Sequence, residues 1–426
     1  MSSLLPKPLT LHEQDFSVGE LGTQAKVLGL PAQKCLCLAF TLVAMSLLFM
    51  LGAVAAQDWA YFGTGVRKRT YGLMRCSDCP PGIAGTNWYC PLAIECTDKP
   101  ESVLCGLSED MYNAGNAYLV GQLPTFMLGL MLLERLLYGC MGKDYGWAWV
   151  VYLLGGLYPV AMVVSVVLWF ASNSATYENQ CEENYLNGDI AVCAGNGGQV
   201  AIVAAVLSVL AGALAVFVFY HRPAQIVISG LRNRLLMCGL MVLMLVILAL
   251  YVAAPAHEEW IETDSHMGGL LKMKQWGPYS NLGYDCIAEP RCTLDEDLGS
   301  CKSFRRLHQG SMVFLFLEVG AIYSWLLWFE AACFYIIGRE YGFSVWNYVT
   351  PLLSVGLHTI GTVIWLVHTQ ALLETSCQLR PEHSSERWAV CAKTGPILAI
   401  VNTGLGWLCV ALYLPLYSQR HSPSPP

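Results

Sequence analysis

The chain contains the same arrangement of apolar segments and cysteines twice. Residues 35–220 and 233–417 each read as four long apolar runs, with cysteine-bearing polar loops after the first and third runs. Four loop cysteines of the first half coincide with four of the second half at a constant offset of 196 positions. The coincident pairs are Cys90 with Cys286, Cys96 with Cys292, Cys105 with Cys301, and Cys181 with Cys377. Shared apolar composition does not place cysteines at matched loop positions. The sequence therefore predicts an internal duplication.

The apolar content indicates that the chain lies in a bilayer. Hydrophobic residues make up 55% of the chain and charged residues only 13%, so polar side chains cannot cover a globule of this size. A membrane helix needs about 20 apolar residues, and these runs are too continuous to be strands of a barrel. We therefore predict an all-α membrane protein with two tandem four-helix bundles and small disulfide-bonded extracellular loop regions. The eight predicted spans are 35–56, 117–139, 147–171, 198–220, 233–254, 311–336, 343–367 and 395–417.

The charges between the spans predict the orientation. The short connections are basic, as at Arg222 and Arg232, whereas the cysteine-bearing loops are acidic on balance, as at Glu182 and Asp189. By the positive-inside rule, the basic connections and both termini face the cytoplasm. The net charge of −7 thus belongs to the loops and does not indicate a nucleic-acid partner. The predicted division is a cytoplasmic segment at 1–34, a first repeat at 35–220, a cytoplasmic linker at 221–232, a second repeat at 233–417 and a cytoplasmic tail at 418–426.

The first span is expected to act as an uncleaved signal anchor. The triplet Ala53-Val54-Ala55 is similar to a signal-peptidase site, but cleavage there would remove a helix that the second repeat retains. The predicted location is the plasma membrane, with another membrane of the secretory pathway as the alternative.

Cysteine placement agrees with this topology. Of 18 cysteines, 12 lie in the predicted outer loops, which is typical of disulfides in an oxidising compartment. The smaller loops predict pairs between Cys181 and Cys193 and between Cys377 and Cys391. Zinc is the alternative for Cys76-x2-Cys79, but the chain offers no second Cys-x2-Cys pair, and we predict no metal and no cofactor.

The outer loops carry a family resemblance. In each repeat the first outer loop has about 55–60 residues and the second about 25, the reverse of the tetraspanin order. Trp59 and Trp260 follow the first span of each repeat, and the spacings Cys96-x8-Cys105 and Cys292-x8-Cys301 recur. This pattern resembles the claudin and peripheral myelin protein superfamily. The segment 281–286, Asn-Leu-Gly-Tyr-Asp-Cys, has glycine where that family has tryptophan, and a tandem pair of units also departs from the family.

The resemblance implies both a structure and a set of functions. It implies a helix bundle capped by a small extracellular sheet, with Cys96 bonded to Cys105 and Cys292 to Cys301 to hold strands together. Because seven and five outer cysteines are odd numbers, a bond between repeats, most simply through Cys286, stays open. The implied functions are membrane adhesion, a barrier, membrane organisation, or an auxiliary subunit of a membrane complex. The implied partners are the lipid bilayer and, through the outer loops, other membrane proteins or a second copy.

The two tryptophans that follow the first span of each repeat have an alternative interpretation. Trp59 and Trp260 also lie where an aromatic residue at the membrane interface would lie.

Motifs for enzyme chemistry are absent from the sequence. It contains no Walker loop, no His-Glu-x-x-His, no Gly-x-Ser-x-Gly and no Rossmann glycine pattern, so we predict that the protein is not an enzyme.

The best-preserved repeated element lies at 142–146 and 338–342. It predicts a tight cytoplasmic turn, with partner docking as the alternative. Glu134 and Glu330, just before it, are expected to snorkel or to pair with Arg135, Lys143 or Arg339. The turn residues are Gly142, Tyr145 and Gly146 in the first repeat and Gly338, Tyr341 and Gly342 in the second.

Polar residues inside the spans distinguish the second repeat. Glu318, His358 and Asn402 come out about 10–15 Å deep on three helices. Their counterparts are Gln122, Met162 and Ala204. One interpretation is hydrogen bonding between helices, and the other is an ion or ligand site. The second interpretation supports the alternative function, an ion or small-solute channel or transporter that uses this polar layer. The nearly uncharged spans of the first repeat argue against a continuous polar path.

Overall fold

The computed structural model describes most of the helical part of the chain and the strands that flank it. The described residues are 26–27, 30–62, 69–73, 103–142, 147–173, 175, 192–220, 234–263, 266–271, 299–337, 343–373 and 390–418.

Eight helices in the described residues are long and apolar enough to cross a membrane. This confirms the predicted all-α multi-pass membrane protein. Their lengths follow from runs of leucine, valine, alanine and aromatic residues, and each helix pairs its backbone N–H and C=O groups by hydrogen bonds within itself. The helices are α1 (Ala32–Ala55), α2 (Val103–Cys140), α3 (Ala148–Asn173), α4 (Asn196–Tyr220), α5 (Arg234–Ala256), α6 (Gly299–Ile337), α7 (Trp346–Thr369) and α8 (Thr394–Ser418).

Two helices are much longer than the sequence predicted. α2 has 38 residues and α6 has 39, because each continues outward from its apolar span through a polar segment. Hydropathy identifies only the portion in hydrocarbon, whereas backbone hydrogen bonding continues into the aqueous layer. Cys105 and Cys301 consequently lie in the first turns of α2 and α6, and not on strands as the claudin resemblance implied.

The helices pack in two groups of four. In the first group α1 contacts α2 and α4, and α3 contacts both of those helices as well. In the second group α5 contacts α6 and α8, and α7 likewise contacts both. In each group, therefore, consecutive helices contact each other and the fourth helix contacts the first.

Short strands flank the helices. A two-stranded ribbon, β1 (Lys26–Val27) with β2 (Leu30–Pro31), precedes α1, and small sheets lie at the outer ends of both groups. Strand β3 (Ala60–Phe62), which follows α1, pairs antiparallel with β4 (Arg69–Tyr71) and with β5 (Cys193–Ala194), which precedes α4. Strand β6 (Ile261–Thr263) pairs in the same way with β7 (His266–Gly268) and β9 (Cys391–Ala392), and β8 (Leu372–Leu373) adds a parallel edge.

The strand register is the same in both sheets. Ala60 faces Ala194 in the first sheet, and Ile261 faces Ala392 in the second. The loop after the first helix of each group is thereby joined to the segment before its last helix.

A buried tryptophan supports each sheet. Trp59 and Trp260 are each 1% exposed, so both rings are buried inside the protein. Their indole N–H groups donate to the carbonyls of Ala53 and Ala254, at 2.6 and 2.7 Å, near the ends of α1 and α5. The rings pack edge-on against Trp169 and Trp365, with centroids 5.0 Å apart in both groups.

Glycines make room for these rings. A Cβ atom on Gly197 or Gly395 would lie 2.5 Å from the ring of Trp59 or Trp260. Only glycine fits at these first turns of α4 and α8, because a real side chain would displace the tryptophan.

Charged and aromatic contacts join the first group of helices to the second. The guanidinium of Arg135, which is fully buried, forms an ion pair with Glu330. Tyr138 packs on Phe343 with ring centroids 5.6 Å apart, and Trp147 packs on Phe334 at 4.7 Å. Glu330 is thus paired with one of its expected partners, and this pair lies between the two groups of helices. Glu134 accepts a hydrogen bond from the hydroxyl of Tyr138 within α2.

The helix cysteines are separate from the outer ones. Cys37, Cys238, Cys333 and Cys409 are free cysteines within the described residues. Cys193 and Cys391 are on strands β5 and β9 and are not among the free ones. Their predicted partners Cys181 and Cys377 lie outside the described residues, as do Cys96, Cys292 and Cys286. The disulfide pairs stay predictions.

Candidate functional site in the membrane

Three helices of the second group bring ionisable and polar side chains into the membrane interior. Glu318 lies on α6, His358 on α7 and Asn402 on α8. Their exposures are 2%, 0% and 1%, so all three point into the protein and away from lipid. His358 lies about 16 Å along α7 from its outer end at Thr369, at roughly 1.5 Å per residue.

His358 connects the other two helices. Its Nδ1 atom is 2.6 Å from Oε2 of Glu318 on α6. On the other side of the ring, Nε2 is 3.0 Å from the main-chain carbonyl of Ala399 on α8. Both nitrogens of the imidazole are therefore engaged, and the ring orientation is fixed from two directions.

Asn402 lies one helical turn beyond the carbonyl that His358 contacts. The Ala399 carbonyl also accepts a 3.0 Å hydrogen bond from the hydroxyl of Thr403, the residue after Asn402. The side-chain oxygen and nitrogen of Asn402 are buried without a hydrogen-bond partner in the described residues, and so is Oε1 of Glu318. The structure thus brings Glu318 and His358 into direct contact and leaves Asn402 as a neighbour on α8.

Aromatic and hydroxyl groups complete the surroundings of the histidine. The ring of Tyr251 on α5 lies edge-on at 4.8 Å from His358, and Phe314 on α6 lies at 6.2 Å. The Tyr251 hydroxyl is 3.2 Å from Ser354, whose own hydroxyl donates to the carbonyl of Ala321 at 3.0 Å. All four helices of the group therefore contribute to this layer.

Sequence reasoning missed these hydroxyls. Tyr251 and Ser354 are common in membrane helices as single residues, and their position on the inner face depends on helix rotation. A signal was present, because Ser354 precedes His358 by one helical turn and therefore shares its face.

At the corresponding depth of the first group the polar groups are hydroxyls and an amide. Tyr158 donates to Ser46 at 2.8 Å, and Ser46 donates to the carbonyl of Ala204 at 2.7 Å. Met162 occupies the position that corresponds to His358 and is fully buried. Gln122, which corresponds to Glu318, is buried with both amide atoms unpaired in the described residues.

The predicted turn is described only at its first residue. Gly142 has φ +68°, in the left-handed region that favours glycine, and a Cβ there would meet nothing within 4 Å. The backbone conformation accounts for this glycine. The other turn residues, Tyr145, Gly146, Gly338, Tyr341 and Gly342, lie outside the described residues.

The described residues contain no group of three or more His, Cys, Asp or Glu side chains that could hold a metal ion.

Comparisons with family models, with curated proteins and with solved structures find no match for this chain. The site is therefore interpreted from its own chemistry.

Proposed function

We propose that the protein is a tandem, claudin-like membrane protein that acts in adhesion, barrier formation or membrane organisation, or as an auxiliary subunit, and that it does so at the plasma membrane. The main support is the sheet at the outer end of each group of helices. It ties the loop after the first helix to the segment before the fourth, on top of a buried tryptophan. A base of this kind fixes the positions at which the outer loops begin and end, and a partner-binding surface needs such a scaffold.

Internal duplication is part of this proposal, and contacts between the halves support it. At the offset of 196, Tyr138 corresponds to Phe334, and Trp147 corresponds to Phe343. The contacts Tyr138–Phe343 and Phe334–Trp147 therefore exchange when the halves are exchanged. Such reciprocal contacts are typical of an isologous, two-fold interface between identical subunits. We interpret the chain as two four-helix units fused in the arrangement of a dimer.

The second outer sheet also exposes apolar side chains. Met267 on β7 is 39% exposed and Leu271, shortly after it, is 40% exposed. Both lie on or just after β7, beyond the end of α5. These side chains are candidates for contact with a partner protein on the same or the opposed membrane.

A cell-mixing assay tests the proposal. Two populations of cells that express the chain are labelled in different colours and mixed, and mixed with non-expressing cells in parallel. Clusters that require expression on one or both populations are expected, and the double variant Met267→Ser/Leu271→Ser should reduce them at equal surface level. Val345→Ser, an exposed apolar residue at the opposite end of the second group, is the matched control. Unchanged clustering with the double variant would remove the second sheet from the proposal, and no clustering at all would leave adhesion unsupported.

The alternative function is transport of an ion or small solute. One observation favours it, the direct contact of Glu318 with His358 in the membrane interior, because ionisable pairs at this depth often mark ion or proton paths. Purified protein in liposomes with an imposed pH gradient should then carry a proton or cation flux that Glu318→Gln abolishes. Liposomes with the unaltered protein that stay as tight as empty ones would exclude this alternative.

A further inference from the structure

The contact between Glu318 and His358 determines how many protons the pair holds. A main-chain carbonyl has no hydrogen to donate, so the 3.0 Å contact of Nε2 with the Ala399 carbonyl requires a hydrogen on Nε2. The proton of a neutral imidazole is thereby assigned to Nε2, on the side of α8.

The opposite nitrogen then needs a second proton. Without one, the lone pair of Nδ1 would face a carboxylate oxygen at 2.6 Å, and both atoms would be acceptors. A proton between them resolves the conflict in two ways. Protonated Glu318 donates from Oε2 to a neutral ring, or an imidazolium donates from Nδ1 to a carboxylate. Both arrangements contain the same atoms and have the same net charge of zero.

A metal ion does not fit in place of this proton. Zinc ligands lie about 2.0–2.2 Å from the ion, so two ligand atoms 2.6 Å apart would subtend too narrow an angle for tetrahedral coordination. The other ring nitrogen is already used by the Ala399 carbonyl. Only a hydrogen is small enough to lie directly between Nδ1 and Oε2.

The surroundings favour a Glu318–His358 pair with no net charge. In the described residues, the titratable group beside the pair is Tyr251 from α5, whose hydroxyl contacts Ser354 of α7, and Cys409 from α8 lies near Tyr251. No Lys or Arg of the described residues forms an ion pair with Glu318. Loss of the proton would leave one uncompensated negative charge in a buried, low-dielectric layer, which is strongly unfavourable.

We propose that Glu318 and His358 form a proton-binding site in the second group of helices, with one proton shared between Nδ1 and Oε2 and a net charge of zero. The proton holds α6 to α7, and the Nε2 hydrogen holds α7 to α8. The site is independent of the adhesive function proposed above, and the transport alternative would require this proton to leave and return.

Two spectroscopic measurements on the full-length protein in nanodiscs count the protons. Infrared spectroscopy distinguishes a carboxylic acid from a carboxylate, and the Glu318 band is identified as the one lost in Glu318→Gln. Nitrogen-15 NMR distinguishes a neutral imidazole from an imidazolium, and the signals of His358, one of 9 histidines, are identified as those lost in His358→Gln. The double variant Glu318→Leu/His358→Phe serves for both subtractions if a single variant does not fold.

The proposal expects one of two results at neutral pH. These are an acid band with a neutral ring protonated at Nε2, or a carboxylate band with an imidazolium. A carboxylate together with a neutral ring would show that the proton is absent and would overturn the proposal. An acid together with an imidazolium would show one proton too many and would overturn it as well.

Discussion

The two groups of helices use different chemistry for the hydrogen bonds that connect their helices at mid-membrane. In the first, the hydroxyl of Tyr158 donates to Ser46, and the hydroxyl of Ser46 donates to the carbonyl of Ala204. In the second, His358 bridges Glu318 and the carbonyl of Ala399. Hydroxyls bring no charge into the layer and lose little if one bond breaks. The acid and the imidazole depend on each other, because either one alone leaves a buried polar group or charge without its partner.

This difference teaches that the shared architecture does not dictate the polar layer. The antiparallel strand pairing, the supporting tryptophans and the glycines that accommodate them recur in both groups, and the second sheet adds β8 at its edge. Met162 shows that an apolar side chain fills the position of His358 without loss of the bundle. The second group therefore carries an ionisable pair that the fold itself does not require.

The largest expected effect comes from breaking the pair. His358→Leu removes the hydrogen bonds to α6 and α8 and leaves Glu318 buried without a partner, so the free energy of unfolding should fall by about 3–5 kcal/mol. Met162→Leu at the corresponding position of the first group should cost less than about 1.5 kcal/mol, because it conserves volume and polarity. Denaturant unfolding in mixed micelles measures both. Equal losses in the two variants would contradict the contrast between the layers.

A second prediction concerns the contact that joins the two groups. Glu330→Ala removes the carboxylate that pairs with buried Arg135, and hydrogen bonds to charged groups contribute about 1.5–3 kcal/mol. We expect a loss of stability in that range and weaker association of the two groups of helices. A disulfide cross-link formed in Tyr138→Cys/Phe343→Cys reports this association in the full chain. Cross-linking that is as efficient after Glu330→Ala as with Glu330 in place would show that the ion pair does not hold the groups together.

The supporting tryptophans should behave alike, in contrast to the polar layers. Trp59→Phe and Trp260→Phe each lose one indole hydrogen bond and part of a ring contact, for an expected cost of about 1–2 kcal/mol. Thermal unfolding of the two variants should show shifts of similar size. A large shift in one variant and none in the other would mean that the two sheets are not equivalent supports.

The smallest effect is expected at Asn402. Its amide atoms are buried without a partner in the described residues, so Asn402→Leu, of similar size, should be neutral or slightly stabilising, within about 1 kcal/mol. A stability loss of more than about 2 kcal/mol, measured with the same unfolding assay, would indicate that the amide has a hydrogen-bond partner in the membrane. Ala204→Leu tests the corresponding position of the first group, where overpacking should cost about 1–3 kcal/mol.

The number and type of helices could be predicted from the sequence because the bilayer demands about 20 continuous apolar residues per span. The outward extension of α2 and α6 could not, because the helical segments that leave the hydrocarbon are polar. The depth of Glu318, His358 and Asn402 followed from counting residues, but contact between Glu318 and His358 depends on helix rotation. Arg135 was among the expected partners of the interfacial glutamates, and the structure places its ion pair with Glu330 between the two groups of helices.

The sheet above each tryptophan also orders events during synthesis. Strand β3 follows the first helix, but its partner β5 is made about 130 residues later, after two more helices have been inserted. At translation rates of roughly 5–20 residues per second, the edge of β3 waits on the order of 10 s for its neighbour. During that interval β3 has β4 as a neighbour, but the edge that will pair with β5 is unpaired. Strands β5 and β9 directly precede α4 and α8, so each sheet receives its last strand just before the last helix of its group is made.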